Sequence, residues 1–185
     1  MIMTEDPVLL AFERQPLLFF SPSTALQAQA LLRAGAEINR TILSYFENDE
    51  RCAIIDCSKA ISANDLFWLW TLGAYEVIRT MSQHKHCFSE ELQNRIVTQK
   101  GPLATLRIPF SKQEYRGRPG TDPMSAFACG LNIREGIIFD VRGSRITSKG
   151  IISEFTTFVD GICLAEILEP LPRLETRHVG QKPQR

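Results

Sequence analysis

What this 185-residue chain lacks narrows it first. No stretch reaches the roughly 20 uninterrupted apolar residues that a membrane-spanning helix requires. The apolar N-terminus, MIMTEDPVLLAFERQPLLFF, is broken by Glu13, Arg14, Gln15 and Pro16 and has no basic leader, so it reads as neither a signal peptide nor an anchor. Also missing are a G-x-x-x-x-G-K-[ST] loop, a G-x-G-x-x-G after a strand, a G-x-S-x-G elbow and an H-E-x-x-H pair. Their absence leaves nucleotide-dependent and metal-hydrolase chemistry without support. Asp56, Asp65 and Asp140 are scattered, with no spacing that recommends a catalytic pair. The formal net charge is zero, so bulk charge argues for no partner. No cofactor is expected.

Cysteine and histidine are present but badly spaced for a metal. Cys52, Cys57, His84, His86 and Cys87 are enough soft ligands for one zinc ion. Cys52 and Cys57 form a C-x4-C pair at the edge of the usual range, and no second tight pair follows. The expectation is therefore no metal site, with reduced cysteines acting as small hydrophobes in a cytoplasmic protein.

What is there is chiefly helical periodicity. Pro16–Phe20 is a short apolar run. Ser21-Pro22 is a helix start, and Leu31, Ala34, Ile38, Ile42 and Tyr45 make one apolar face running to about Phe46. Residues 51–61 are ambiguous, with helix preferred. Ser62, with Asp65 three residues on, predicts the start of the next helix. Phe67, Trp70, Ala74, Val77 and Met81 form its stripe, and Leu66, Trp68, Leu69 and Leu72 cover the rest, which predicts a central helix buried nearly all round. Gly73 in its middle predicts close approach of a neighbour. Ser89 is expected to cap a third helix, with Glu90 and Glu91 in the first turn, Leu92, Ile96 and Val97 facing inward, and Gly101-Pro102 ending it. Residues 103–115 start helical and meet Pro109, and RGRPGTDP reads as a loop. Residues 129–147 read as a small β-hairpin or three-strand ribbon turning at Arg142-Gly143. Ser148 is expected to cap a last helix with Ile151, Ile152, Phe155, Phe158, Val159 and Ile162 on one face. The expected fold is a mainly α (α+β) helical bundle around a central apolar helix (about 63–84), with the ribbon inserted before the last helix. Residues 1–170 are expected to form one domain and 171–185 a flexible tail.

Charge is unevenly distributed although it sums to zero. Residues 1–94 hold 7 Lys/Arg against 12 Asp/Glu, whereas residues 95–150 hold 10 against 4. Within the basic region Arg107, Lys112, Arg116 and Arg118 alternate with Phe110 and Tyr115, and Arg142 and Arg145 lie on the ribbon. Guanidinium groups among aromatic faces are how single-stranded nucleic acid is held. Arg107, Lys112, Tyr115, Arg116, Arg118, Arg142 and Arg145 are the candidate contacts to nucleic acid or another polyanion. The plainer alternative is a solvated loop whose aromatic residues turn inward.

The other candidate is Arg79 with His84 or His86. Arg followed by His at this gap, near the end of a helix, resembles the R-x4-6-H motif of HEPN ribonucleases. The resemblance implies a helical dimer that cleaves RNA without metal through the ribose 2′-hydroxyl, with Arg79 and one of the two histidines catalytic. On a continuous helix Arg79 and His86 share a face with Thr71, Tyr75 and Gln83, while five residues place His84 about 140° from Arg79. The structural alternative is that Arg79 pairs with Glu76 at i, i+3 and the histidines cap the helix C-terminus. Taken together, the residues point to a non-catalytic interaction or accessory protein, self-associating or binding a protein partner and with no membrane contact. A HEPN-like nuclease is the second reading.

Overall fold

The computed structural model describes residues 7–47, 57–112, 114–115, 118–121, 128–141 and 143–172, with backbone alone for 7, 9, 109–112, 114–115 and 118–121. In chain order the elements are α1 (Pro7–Arg14), α2 (Leu17–Phe20), α3 (Pro22–Glu47), α4 (Ser58–Gln83), a 3-10 turn (Lys85–Cys87), α5 (Glu90–Lys112), β1 (Glu114–Tyr115), β2 (Arg118–Thr121), β3 (Gly130–Asn132), β4 (Gly136–Val141), β5 (Ser144–Thr147), α6 (Ser148–Asp160) and a 3-10 turn (Leu164–Glu166). The mainly helical fold with a three-strand antiparallel ribbon before the last helix is the predicted one. No helix among the described residues is long and apolar enough to cross a membrane.

Several helix ends follow local chemistry. Ser21 Oγ accepts the Thr24 amide at 3.3 Å, and Ser89 Oγ accepts the Leu92 amide at 3.3 Å, so both predicted caps satisfy an orphan donor. At α6 the prediction was one residue late. Thr147 is the cap, its hydroxyl accepting from Gly150 N at 3.2 Å, while Ser148 is buried and accepts from Ile137 N at 3.0 Å. Ser148 thus ties the ribbon to the helix instead of capping it.

Helix α4 departs from expectation in two ways. It begins at Ser58, so Ser62 and Asp65 are exposed interior positions and form no capping box. Serine costs a helix interior only a few tenths of a kcal/mol, too little to stop one that packing stabilises. Of the ambiguous segment, 58–61 belongs to α4 and 51–56 lies outside the described residues. The helix is also not buried all round. Ala63, Phe67, Trp70, Thr71, Ala74, Val77, Ile78 and Met81 are buried, but Leu66, Trp68 and Leu69 are exposed.

The inner face of α4 organises the core. Phe67 stacks on Trp70 (5.8 Å) and Phe139 (5.4 Å), and Trp70 meets Phe155 edge-on at 5.4 Å. Each fully buried side chain of this size contributes about 1.5–3 kcal/mol. Trp70 Nε1 donates to the Leu31 carbonyl at 2.9 Å, pinning α4 to α3. Gly73 permits that approach, and Gly35 permits the approach of α6 to α3. A Cβ at Gly73 would lie 3.0 Å from Leu31, and one at Gly35 would lie 2.8 Å from Ile152 of α6.

Helix α5 runs through Gly101-Pro102 and Pro109 to Lys112, although both prolines were expected to end or kink it. Gly101 and Pro102 are exposed, where a carbonyl deprived of its amide donor can be hydrated. Leu103 and Leu106 beyond them are fully buried and hold the helix in place. Val97, expected to face inward, is exposed, and Gln99 is buried. The RGRPG segment, expected to be loop, contributes to a strand pair: β1 and β2 are antiparallel, with Tyr115 opposite Arg118. In the ribbon, β4 pairs with β3 and β5, and Gly136 and Gly143 take the left-handed φ of 75°. Ile137, Phe139 and Val141, alternate residues of β4, are buried in the core that the helices form, which gives the ribbon the support a lone hairpin lacks. After α6 the chain returns along α5. Phe88 and Ile167 form an isolated antiparallel bridge, and Leu171 N donates to Phe20 O at 2.7 Å. Residues 173–185 of the expected tail lie outside the described residues.

Candidate functional site on the outer face of α4

The outer face of α4 changes chemistry halfway along. Its first half presents Ile61 (59% exposed), Leu66 (40%), Trp68 (43%) and Leu69 (60%). Ile61 and Leu69 point away from the stripe that packs on α3, and Leu66 and Trp68 flank it on either side, because each residue turns the helix by about 100°. Large apolar residues gathered on one exposed helix surface, as distinct from scattered singly, mark an interaction site.

The second half is ionic. Arg79 Nε donates to Glu76 Oε2 at 2.6 Å, and its guanidinium reaches Gln83 Oε1 at 2.9 Å. The other Glu76 oxygen lies 3.8 Å from the Arg107 guanidinium on α5. Arg107 also sits over the Tyr75 ring at 4.7 Å, and Lys100 Nζ bonds Ser82 Oγ at 3.0 Å. One carboxylate is therefore shared by Arg79, the candidate catalytic arginine, and Arg107, the first residue of the candidate basic patch. The structure brings together two features that the sequence showed only separately. All three side chains are 31–42% exposed, so the network is worth about 1 kcal/mol or less per pair.

The histidines do not lie on a continuation of α4. The helix ends at Gln83, so the shared face expected for Arg79 and His86 is interrupted before either histidine. His84 is the C-cap residue, its amide bonding Thr80 O and Met81 O, and His86 is in the following turn. Their rings are 6.0 Å apart, and His86 Nε2 lies 3.6 Å from Glu169 Oε1. Cys87 beside it is fully buried, and burial, helped by the Glu169 charge, pushes its thiol pKa up. Cys57, one of the possible soft ligands, lies before the first turn of α4, about 39 Å of helix from His84.

The remaining candidates divide between two places. Lys112 ends α5, and Tyr115 and Arg118 are cross-strand neighbours in the β1–β2 pair. Arg116 and Arg142 lie outside the described residues. Arg145 is on the ribbon and grips Glu135 with two bonds, Nε to Oε1 at 3.3 Å and Nη2 to Oε2 at 2.7 Å. Those bonds, with one from Asn132, hold the Glu135 carboxyl below its ordinary range, and Glu135 raises Arg145 in turn.

A groove of about 980 Å³ runs between α5 and α6, past Arg95, Gln99, Ser153, Thr157 and Phe158. Arg95 is already bonded to Glu166 Oε1 at 2.9 Å, and Gln99 Nε2 has no hydrogen-bond partner among the described residues. Sequence reasoning missed Glu169 and the exposure of the first half of α4. Glu76 was legible from its i, i+3 spacing to Arg79. A helical wheel centred on Phe67, Trp70 and Ala74 already places Ile61 and Leu69 opposite the core. Comparison with family models, characterised proteins and solved structures finds no match to this chain, so the functional reading rests on these residues.

Proposed function

We propose that this protein is a non-catalytic interaction protein that self-associates through the outer face of the first half of α4. The observation that carries this reading is the exposure of Ile61, Leu66 and Leu69 on one helix, with Trp68 beside them. A face of this kind, paired with the same face of a second copy, buries its apolar area in a closed two-fold contact. The reading sets the protein in a cytosol, which the free thiols of Cys57, Cys87, Cys129 and Cys163 support.

Polyanion binding is the weaker part of the reading. Arg107 and Arg145 already contact Glu76 and Glu135, so a phosphate would have to displace a carboxylate at each. The test is size-exclusion chromatography with light scattering across a range of protein concentrations. The wild-type chain is expected to be dimeric, and an Ile61→Glu/Leu69→Glu double variant monomeric with an unchanged circular dichroism spectrum. A monomeric wild type at high micromolar concentration, or a double variant that still dimerises, overturns the reading.

A further inference from the structure

We propose that His86, Cys87 and Glu169 form a binding site for a zinc-like divalent cation, a site separate from the outer face of α4. These three residues are the one group of three or more metal-competent side chains among the described residues, and their donor atoms all lie within 4.8 Å of one another. Bond lengths of about 2.0–2.3 Å at a tetrahedral centre require donors roughly 3.3–3.7 Å apart. His86 Nε2 and Glu169 Oε1 already meet that spacing at 3.6 Å. The Cys87 sulfur lies within 4.8 Å of both and would exchange its 3.8 Å contact with the Pro170 carbonyl for the ion.

The backbone holds the two halves of this site in register. His86 and Cys87 are in the turn after α4, and Glu169 comes from the returning segment after α6. Between them the Phe88–Ile167 bridge is flanked by Leu168 N to Cys87 O at 2.8 Å and Ser89 N to Glu166 O at 2.8 Å. Phe88 is fully buried and its ring meets that of Phe20 at 4.6 Å, tilted by 50°, which anchors the clamp in the core. The two backbone segments that carry the donors are therefore held together before any ion arrives, and binding has to order only the side chains.

The donor set selects the ion. One thiolate, one imidazole and one carboxylate suit Zn²⁺ and Co²⁺, and a thiolate disfavours Mg²⁺ and Ca²⁺. Three protein ligands leave the fourth tetrahedral position to water or to His84, whose ring is 6.0 Å from that of His86. Binding displaces the thiol proton of Cys87, so one proton is released per ion bound.

The test titrates chelator-treated, full-length protein with Co²⁺ and with Zn²⁺. Wild type is expected to bind one Co²⁺ with thiolate-to-cobalt charge-transfer absorption, and Zn²⁺ is expected to displace it. Cys87→Ser removes that band. Because Cys87 is buried and its replacement can impair folding, His86→Ala and Glu169→Gln provide the second arm. Both side chains are more than half exposed and lie outside the core. Each is expected to weaken Zn²⁺ binding by at least about tenfold with the thermal melt of the metal-free protein unchanged. Cys163→Ser, at an exposed cysteine elsewhere, is expected to bind as wild type does. No stoichiometric Co²⁺ or Zn²⁺ binding, or binding that survives both His86→Ala and Glu169→Gln, overturns the site. A loss in His84→Ala equal to that in His86→Ala assigns His84 as the fourth ligand, and its absence assigns water.

Discussion

The two halves of the outer face of α4 carry opposite chemistry on one helix. The first half exposes Ile61, Leu66, Trp68 and Leu69, and the second carries the Glu76–Arg79–Gln83 ladder joined to Arg107 of α5. The inner face shows no such division: Phe67, Ala74, Val77 and Met81 are all fully buried. Where α5 packs alongside, the rim of the helix pair meets water and is lined with paired charges. Where large apolar groups remain exposed, their sequence cannot be explained by the core that they do not enter. That difference separates residues serving the fold from residues available to a partner.

The largest expected effect tests the inner face against the outer. Phe67→Ala removes a ring stacked between Trp70 and Phe139 and is expected to cost about 3–5 kcal/mol in denaturant unfolding. Leu69→Ala, two residues along, is expected to change the unfolding free energy by no more than about 0.5 kcal/mol at concentrations that populate the monomer. A large loss in Leu69→Ala would place that side chain in the core and break the comparison.

An intermediate effect tests the ionic half. Glu76→Gln removes the carboxylate shared by Arg79 and Arg107 and is expected to cost about 0.5–1 kcal/mol in low salt. The loss should shrink as ionic strength rises, because these groups are partly exposed and screened. A salt-independent loss would mean that packing, not charge, is what Glu76 supplies.

The smallest effect uses the exposed Arg145–Glu135 pair of the ribbon as a reference for such contacts. The folded carboxyl lies below its ordinary value of 4.5, so its contribution is present above that value and is lost as pH falls through the lower folded one. Wild type should therefore lose slightly more stability than Glu135→Gln as the solution is acidified below 4.5. Identical profiles would show that the pair contributes nothing.

Much of the fold was legible because its signals are local. Ser21 and Ser89 announce helix starts with a side-chain oxygen beside orphan amides, and Gly143 marks a turn needing positive φ. The face from Ile151 to Ile162 repeats at helical spacing and is buried at all six predicted positions. The errors have a different origin. Ser62 and Pro102 carry helix-ending or helix-starting chemistry, yet both lie inside helices, because burial of Phe67, Leu103 and Leu106 outweighs a local preference.

The candidate sites show the same division. Arg79 and Glu76 pair within one helix turn, so spacing alone indicated their contact. Arg107 joins them only because α5 packs along α4, and Glu169 reaches His86 and Cys87 only because the chain returns after α6 to form the Phe88–Ile167 bridge. By itself the sequence determined the helices, the ribbon and the apolar stripe at the centre, since propensity, capping and periodicity act over a few residues. Which apolar residues stay in water, and which distant carboxylate meets which cation or thiol, was decided by tertiary packing, because those neighbours are set by helices crossing in space and not by distance along the chain.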